Sequence, residues 1–231
     1  MDIIDIAMEF FESGTSSDLE IFIGVAWAIW SEGKWIAPPL EVFKINVDGA
    51  TSEIDRNSSV GVVIRDAASN VHAACCRYLQ SRYSVEEVEA LAMECGLLLA
   101  KEHELSQIIL EFDTLTAVSN VTAAETSGCL GHVYQGILSL LSSFSSWKIK
   151  HVKREYNRAA HELAQYTRMK EESHSWKGVC PPMVIHVIQE DGFQLFCVKL
   201  FFLALLYSLF YLARRIQLFA FKKIIIIIMV N

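Results

Sequence analysis

The stretch Phe43-Lys-Ile-Asn-Val-Asp-Gly-Ala50 decides the fold of this chain. Its first residues alternate between apolar and polar types, which is the period-two pattern of a half-buried strand. Asp48 stands where that strand leaves the core, and a carboxylate there needs a partner, for which a divalent cation is well suited. Gly49 has no side chain, so a backbone or a ligand can approach it closely. A strand-end Asp-Gly is also an ordinary turn signal, so the meaning of this stretch depends on the rest of the sequence.

The pattern that follows predicts an α/β fold with a five-stranded mixed sheet. The strands are expected at 43–48, 60–66, 71–79, 107–112 and 147–152. Helical periodicity is expected at 84–102, from about 114, at 133–144 and at 157–169. Ser84 and Glu87 form a capping box at the start of the first long helix. Three strands in a meander, followed by strand–helix–strand crossovers, give a sheet with helices packed on it.

Three acidic residues are expected to meet at one edge of this sheet. Asp48 ends the first strand, Asp113 ends the fourth strand, and Glu89 lies on the sheet-facing side of the first long helix. Parallel neighbouring strands end at the same edge, which places the two aspartates close together. A buried glutamate beside them needs a partner or a metal. Three oxygen ligands suit Mg²⁺ or Mn²⁺ better than Zn²⁺. Taken singly, each acid is better explained as a turn or helix-surface residue, and the metal site is inferred from the three together with the order of the elements.

Composition sets limits on the class of protein. The 231 residues can form one good-sized domain with appendages, and the net charge of −7 gives no overall basic footprint for nucleic acid. A basic stretch is found only locally, at 148–158. The six cysteines show no metal-binding spacing, and the first eleven residues carry acids where a secretory signal needs positive charge. We therefore expect reduced thiols and a nuclear or cytoplasmic protein.

Five motifs in collinear order over about residues 43–169 resemble the plant ribonuclease H-like domain. This is the type 1 ribonuclease H fold found at the ends of non-LTR retrotransposon reverse transcriptases and in stand-alone plant proteins. The motifs are Asn46–Ala50, Gly61–Asp66, Glu89–Leu97, Glu111–Asp113 and Val152–Ala164. The resemblance implies an endonuclease that hydrolyses the RNA strand of RNA–DNA hybrids.

The resemblance also implies a site for two Mg²⁺ (or Mn²⁺) ions. Four acidic positions hold them in the family, and by motif these fall on Asp48, Glu89, Asp113 and His161. Asp48 would bridge both ions, while Glu89 and Asp113 would hold one each. His161 departs from the acidic pattern, and a neutral imidazole is a poor ligand for Mg²⁺. We expect it to shuttle a proton or to contact phosphate instead.

Nucleic acid contacts are expected along the basic stretch and around the first strand. The candidate residues are Asn46, Gly49, Thr51, Lys150, Lys153, Arg154, Asn157 and Arg158. A plain solvated face explains the basic run equally well. Residues 114–146 contain no Lys or Arg, so the basic protrusion that some relatives use to grip substrate is missing. The alternative function is therefore a non-catalytic, retrotransposon-derived module that binds nucleic acid.

Four segments are expected along the chain: a helical extension with its linker at 1–42, the domain at 43–169, a linker at 170–192 and an apolar tail at 193–231. Residues 193–213 are long and apolar enough to span a bilayer and are followed by Arg214 and Arg215. The alternative, which we favour, is read-through of non-coding sequence. A tail-anchored membrane protein is thus the second possibility for localisation, and we expect a monomer that folds through 43–169 alone.

Overall fold

The computed structural model describes residues 35–114 and 130–192. The expected helical extension before residue 35, most of the helix expected after residue 114, and the apolar tail from residue 193 lie outside these ranges. Within them, no helix is both long enough and apolar enough to cross a membrane. The four cysteines in these ranges are free thiols, as the sequence predicts.

Six strands form one mixed sheet in the order β5-β4-β1-β2-β3-β6. The strands are β1 Phe43–Ser52, β2 Asn57–Arg65, β3 Val71–Leu79, β4 Gln107–Phe112, β5 Ser146–His151 and β6 His174–Lys177. The pairs β1–β4 and β4–β5 are parallel, and the other three pairs are antiparallel. The α/β class and the mixed sheet are confirmed, and the expected five strands are present.

Helices cover both faces of the sheet. They are α1 Val85–Glu102, α2 Gly131–Leu141 and α3 Arg158–Lys170, with short 3₁₀ turns at Arg154–Tyr156 and Pro182–Val184 and further helix at 185–192. The predicted capping box is present, since the Ser84 hydroxyl accepts from the Glu87 amide while the Glu87 carboxylate accepts from the Ser84 amide. This cap fixes where α1 begins, and with it the position of Glu89 one turn later.

Two apolar clusters hold these layers together. The larger one joins α1 and α2 to one face of the sheet, through residues such as Ile45, Met93 and Ile137. The smaller one joins α3 and residues 183–188 to the other face. At Gly61 the backbone of α3 comes so close that an added Cβ would lie 2.4 Å from the carbonyl oxygen of Ala160. The absence of a side chain at this position lets α3 pack directly on β2.

The segment expected to be a linker at 170–192 is instead folded onto the domain. Strand β6 pairs antiparallel with β3 and adds the sixth strand that the sequence analysis missed. Val184 and Val187 are buried in the smaller cluster beneath α3. The domain therefore extends past residue 169, because this short strand and these few apolar residues give too weak a sequence pattern to be recognised.

Strand β1 also differs from the half-buried strand that its alternation predicts. Its polar face is buried as well, because the polar side chains bond to one another across the sheet. Nζ of Lys44 lies 2.7 Å from Oε1 of Glu111, and the amide of Asn46 donates to the other carboxylate oxygen of Glu111 at 3.3 Å. Lys44 also donates to the carbonyl oxygen of Ile36. Burial lowers the pKa of Lys44, with the Glu111 carboxylate opposing that effect.

Both ends of the described domain attach to this polar face through Arg65. Its guanidinium lies 3.8 Å above the centre of the Trp35 ring, donates to Asn46 Oδ1 at 3.1 Å and forms an ion pair with Asp191 at 2.5 Å. The indole of Trp35 donates to the same Asn46 oxygen at 3.0 Å. Residues on either side of 43–169 thus complete a buried network, and the expectation that 43–169 folds alone conflicts with this arrangement.

Candidate active site

The structure brings together the three acids that the sequence singled out. The parallel pairing of β1 with β4 sets Asn46 opposite Glu111, so Asp48 and Asp113, each two residues further on, lie side by side where β4 ends. Asp48 does not end its strand as the sequence predicts, because β1 continues to Ser52 through its pairing with β2. Glu89 reaches them from α1. One carboxylate oxygen from each lies within 4.8 Å of the other two, and this is the one cluster of three or more such groups in 35–114 and 130–192.

Glu89 is buried without enough partners for its charge. Glu89 is only 4% exposed, and its Oε2 atom has no hydrogen-bond partner among the described residues. Burial, followed by the nearby charges of Asp48 and Asp113, raises the pKa of Glu89 to about 8. A buried, unpartnered carboxylate oxygen on a residue beside two other carboxylates is costly in this protein unless a proton or a cation joins it.

Asp48 is held by α3 on the opposite side. Nδ1 of His161 lies 2.7 Å from Oδ2 of Asp48, so the fourth position of the family pattern does meet the first. Burial raises the pKa of Asp48, although the bond to His161 works against that rise. The same bond raises the pKa of His161. His161 is thus an immediate neighbour of the acids, and one oxygen of Asp48 is directed to it.

Asp113 is fixed from the loop that follows β5. Nε of Arg154 donates to Oδ2 of Asp113 at 2.8 Å, while Nε2 of His151 lies 3.0 Å from the Asp113 carbonyl oxygen. The Asp113 side chain is 8% exposed, whereas that of Arg154 is 66% exposed. The sequence analysis missed this pairing, although the position of a basic run directly after β5 was a signal that could have indicated it.

Two predicted nucleic acid contacts are wrong. Asn46 is completely buried in the polar network around Arg65, and Asn157 is 1% exposed with its amide donating to the Val47 carbonyl at 2.8 Å. Neither side chain can reach a ligand. The bond from Asn157 ties the start of α3 to β1 immediately before Asp48, so its effect on the site is to position the strand.

The remaining candidates divide into structural and accessible residues. Gly49 packs against Val88 of α1, where an added Cβ would meet the valine side chain at 2.8 Å. Thr51 is half-buried and donates to the Tyr83 carbonyl at 3.0 Å. Arg158 is engaged with Glu190 at 2.8 Å and with Glu162 at 3.6 Å. Lys150 and Lys153 are exposed at the end of β5, the strand next to β4, and form no ion pair within the described ranges.

Comparison with known proteins agrees with this geometry. The profile of a family described as reverse transcriptase-like matches residues 46–167, which is more than half of the chain and includes all three acids and His161. The chain belongs to this reverse transcriptase-like family. No curated protein matches it.

Solved structures show that the domain has the ribonuclease H-like fold. The RNase H1 of the halophilic archaeon Halobacterium salinarum NRC-1 is 22% identical with a TM-score of 0.52, and the alignment covers 57% of this chain and 99% of that one. An N-terminal RNase H domain from Mycobacterium tuberculosis is 20% identical with a TM-score of 0.52, over 56% and 94%. LC11-RNase H1, solved in complex with an RNA/DNA hybrid, is 18% identical with a TM-score of 0.51, over 56% and 98%.

The acid cluster fits a hard divalent cation. All three donors are carboxylates, which Mg²⁺ and Mn²⁺ prefer, and the unpartnered oxygen of Glu89 supplies a ligand that the protein itself does not satisfy. His161 does not add to this set in the same way. Its Nδ1 already bonds to Asp48, and imidazole nitrogen suits Zn²⁺ or Cu²⁺ better than Mg²⁺.

Proposed function

We propose that this chain binds RNA–DNA hybrids and hydrolyses their RNA strand with Mg²⁺ or Mn²⁺ held by Asp48, Glu89 and Asp113. The observation that carries the proposal is the convergence of these carboxylates within 4.8 Å on a ribonuclease H-like fold, with one buried oxygen left unpartnered. Divalent ions bound there, two if the resemblance holds in full, would activate a water molecule and neutralise charge on the phosphate.

The protein's own groups prepare this site in three ways. Burial of Asp48 and Glu89 keeps water from solvating their charges, which strengthens their attraction for a cation. The capping box of α1 and the Asn157 amide fix the elements that carry them, so little reorganisation is needed when a cation binds. His161, on the solvent side of Asp48, is placed to hold or move a proton at its imidazole.

A small set of exposed basic residues would bind the substrate. Lys150, Lys153 and Arg154 lie at the end of β5 and in the turn after it, next to the acid edge of the sheet. Each phosphate they neutralise contributes to affinity in a salt-dependent manner, so three contacts give weak binding that falls steeply with salt. We expect Lys150→Ala and Lys153→Ala each to weaken hybrid binding without changing which strand is cut.

A non-catalytic nucleic-acid-binding module, derived from a retrotransposon, is the second candidate. It is favoured by the bond between His161 and Asp48, which directs a basic side chain to one oxygen of the residue that would bridge two ions. On this reading the acids are a remnant, and the exposed lysines bind phosphate without hydrolysis.

A cleavage assay separates the two candidates. The full chain is incubated with a hybrid labelled on the RNA strand, with Mg²⁺, Mn²⁺ or EDTA, beside an Asp48→Asn variant and a double-stranded DNA control. We expect metal-dependent cleavage of the RNA strand alone, lost in the variant. Binding of the hybrid without cleavage in either metal would reject the enzyme and favour the binding module. Equal cleavage by the native chain and the variant would indicate a contaminating nuclease.

The oligomeric state and the localisation of the chain are also proposals. We propose a monomer in the nucleus or cytoplasm, since the free thiols within the described ranges suit a reducing compartment. We favour read-through as the origin of the apolar stretch at 193–213, with a membrane anchor as the alternative. Release of the full chain from membranes by high salt would argue against the anchor.

A further inference from the structure

Arg154 is the most exposed member of the acid site. It opens the 3₁₀ turn Arg154–Tyr156 directly after β5, and its Nε donates to Oδ2 of Asp113 at 2.8 Å. About two thirds of its side chain is in solvent, while Asp113 is almost buried. Among the residues described, Asp113 is its one ion-pair partner. A buried carboxylate is thus neutralised by a cation that reaches it from the surface.

The guanidinium lies in the field of the whole cluster. Its pKa is raised first by the hydrogen bond to Asp113, then by the charge of that residue, with smaller contributions from Asp48 and Glu89. The other basic neighbour, His161, differs because it is held on α3 and is more than half buried. Arg154 can therefore leave by rotating its long, exposed side chain, whereas His161 has a shorter and more buried side chain.

We propose that Arg154 is an exchangeable counter-ion: it neutralises Asp113 in the metal-free chain, yields that oxygen to a divalent ion, and then binds a backbone phosphate of the nucleic acid. This rests on the proposed metal-binding function and adds a link between the metal and the nucleic acid. The arginine end of the pair is exposed, and the incoming ion replaces its charge at Asp113, so the exchange leaves no carboxylate unpaired. A released guanidinium offers paired donors that match phosphate geometry.

The exchange makes metal and hybrid affinity depend on each other. While Arg154 donates its Nε to Asp113, it competes with the ion, and the neighbouring carboxylate offsets its charge and so weakens its attraction for phosphate. When an ion takes its place, both effects reverse, so each ligand should strengthen binding of the other. Removing the arginine should therefore improve metal affinity and weaken metal-dependent hybrid affinity. A residue that only contacted phosphate would not change metal affinity.

The test measures Mn²⁺ affinity of the full chain from the electron paramagnetic resonance signal of free Mn²⁺. Three variants are compared with the native chain: Arg154→Ala, Arg154→Lys and a matched control, Arg82→Ala, which removes a half-exposed arginine paired with Glu53. We expect Arg154→Ala to bind Mn²⁺ about threefold more tightly, as loss of an exposed competing pair predicts. We expect Arg154→Lys to stay close to the native value, since it keeps the charge, and Arg82→Ala to be unchanged.

Hybrid affinity is measured by fluorescence anisotropy with a hybrid whose RNA strand is 2′-O-methylated, which keeps all backbone phosphates. Arg154→Ala should bind it as the native chain does in EDTA and several-fold more weakly in Mn²⁺. Unchanged or weaker Mn²⁺ affinity in Arg154→Ala would overturn the exchange, while cleavage by the native chain would still support the proposed function. Absence of any Mn²⁺ binding by the native chain would overturn both.

Discussion

Replacing Asp191 by asparagine tests how strongly the segment after α3 stabilises the domain. Oδ2 of Asp191 lies 2.5 Å from Nη1 of Arg65, whose side chain is 1% exposed. No second carboxylate in the described ranges forms an ion pair with this guanidinium. Its Nε is already without a hydrogen-bond partner there. The substitution therefore leaves a buried positive charge with no opposite charge in contact.

The magnitude follows from the burial of the two partners. Removing one member of a fully buried pair costs about 3–5 kcal/mol. Asp191 is 15% exposed, and asparagine keeps an oxygen that can accept from the guanidinium, so we expect a smaller loss of unfolding free energy, about 2 kcal/mol. In a domain of this size that lowers Tm by about 4–8 °C.

The assay is thermal unfolding of the full chain, followed by calorimetry, with Glu190→Gln as the matched control. Glu190 is the preceding residue and pairs with Arg158 at 2.8 Å, but both side chains are about half exposed. Its loss should change the unfolding free energy by less than about 0.5 kcal/mol. Equal Tm values for Asp191→Asn and Glu190→Gln would refute the view that Arg65 depends on the segment after α3.

Three further outcomes are expected. Gly61→Ala should lower the unfolding free energy by about 1–3 kcal/mol, because the added Cβ would meet the Ala160 carbonyl oxygen. The control Gly136→Ala has open space around the added Cβ and should not lower the unfolding free energy. Thermal unfolding of the two variants compares these effects. The fragment 43–169 should be less stable than the full chain, because it lacks Trp35 and Asp191, which contact Arg65. An equal Tm for the two would contradict this. In EDTA, the native chain should lose stability as the pH rises from about 4.5 through 8, because the folded state holds a proton on Glu89 that the unfolded chain releases. Glu89→Gln should flatten that dependence, and an unchanged slope would contradict the raised pKa.

The order of elements and the acid cluster could be predicted from the sequence. Alternation and helical periodicity placed the strands and long helices, and the parallel crossover then required Asp48 and Asp113 to share an edge of the sheet. Glu89 followed because helical periodicity places it on the sheet-facing side of α1. Each of these inferences uses spacing within one element or a rule on how neighbouring strands connect.

Contacts between distant parts of the chain could not be predicted. Arg65 and Asp191 are 126 residues apart, and no local pattern relates them. The polar positions of β1 looked solvent-facing because alternation shows which residues share a face but not what covers that face. Asn46 therefore looks available to substrate, whereas its amide bonds inside the protein. Asn157 looks available because it lies in the basic run, whereas its amide bonds to the carbonyl oxygen of Val47.

Asp48, Glu89 and Asp113 are proposed to form a divalent metal site. The most direct test is anomalous scattering from crystals of the protein grown with Mn²⁺. We predict a Mn²⁺ peak coordinated by oxygens of all three carboxylates, with Oε2 of Glu89 among the atoms that gain a partner. Absence of a peak there, with Asp113 still bonded to Arg154 and Asp48 still bonded to His161, would contradict the claim.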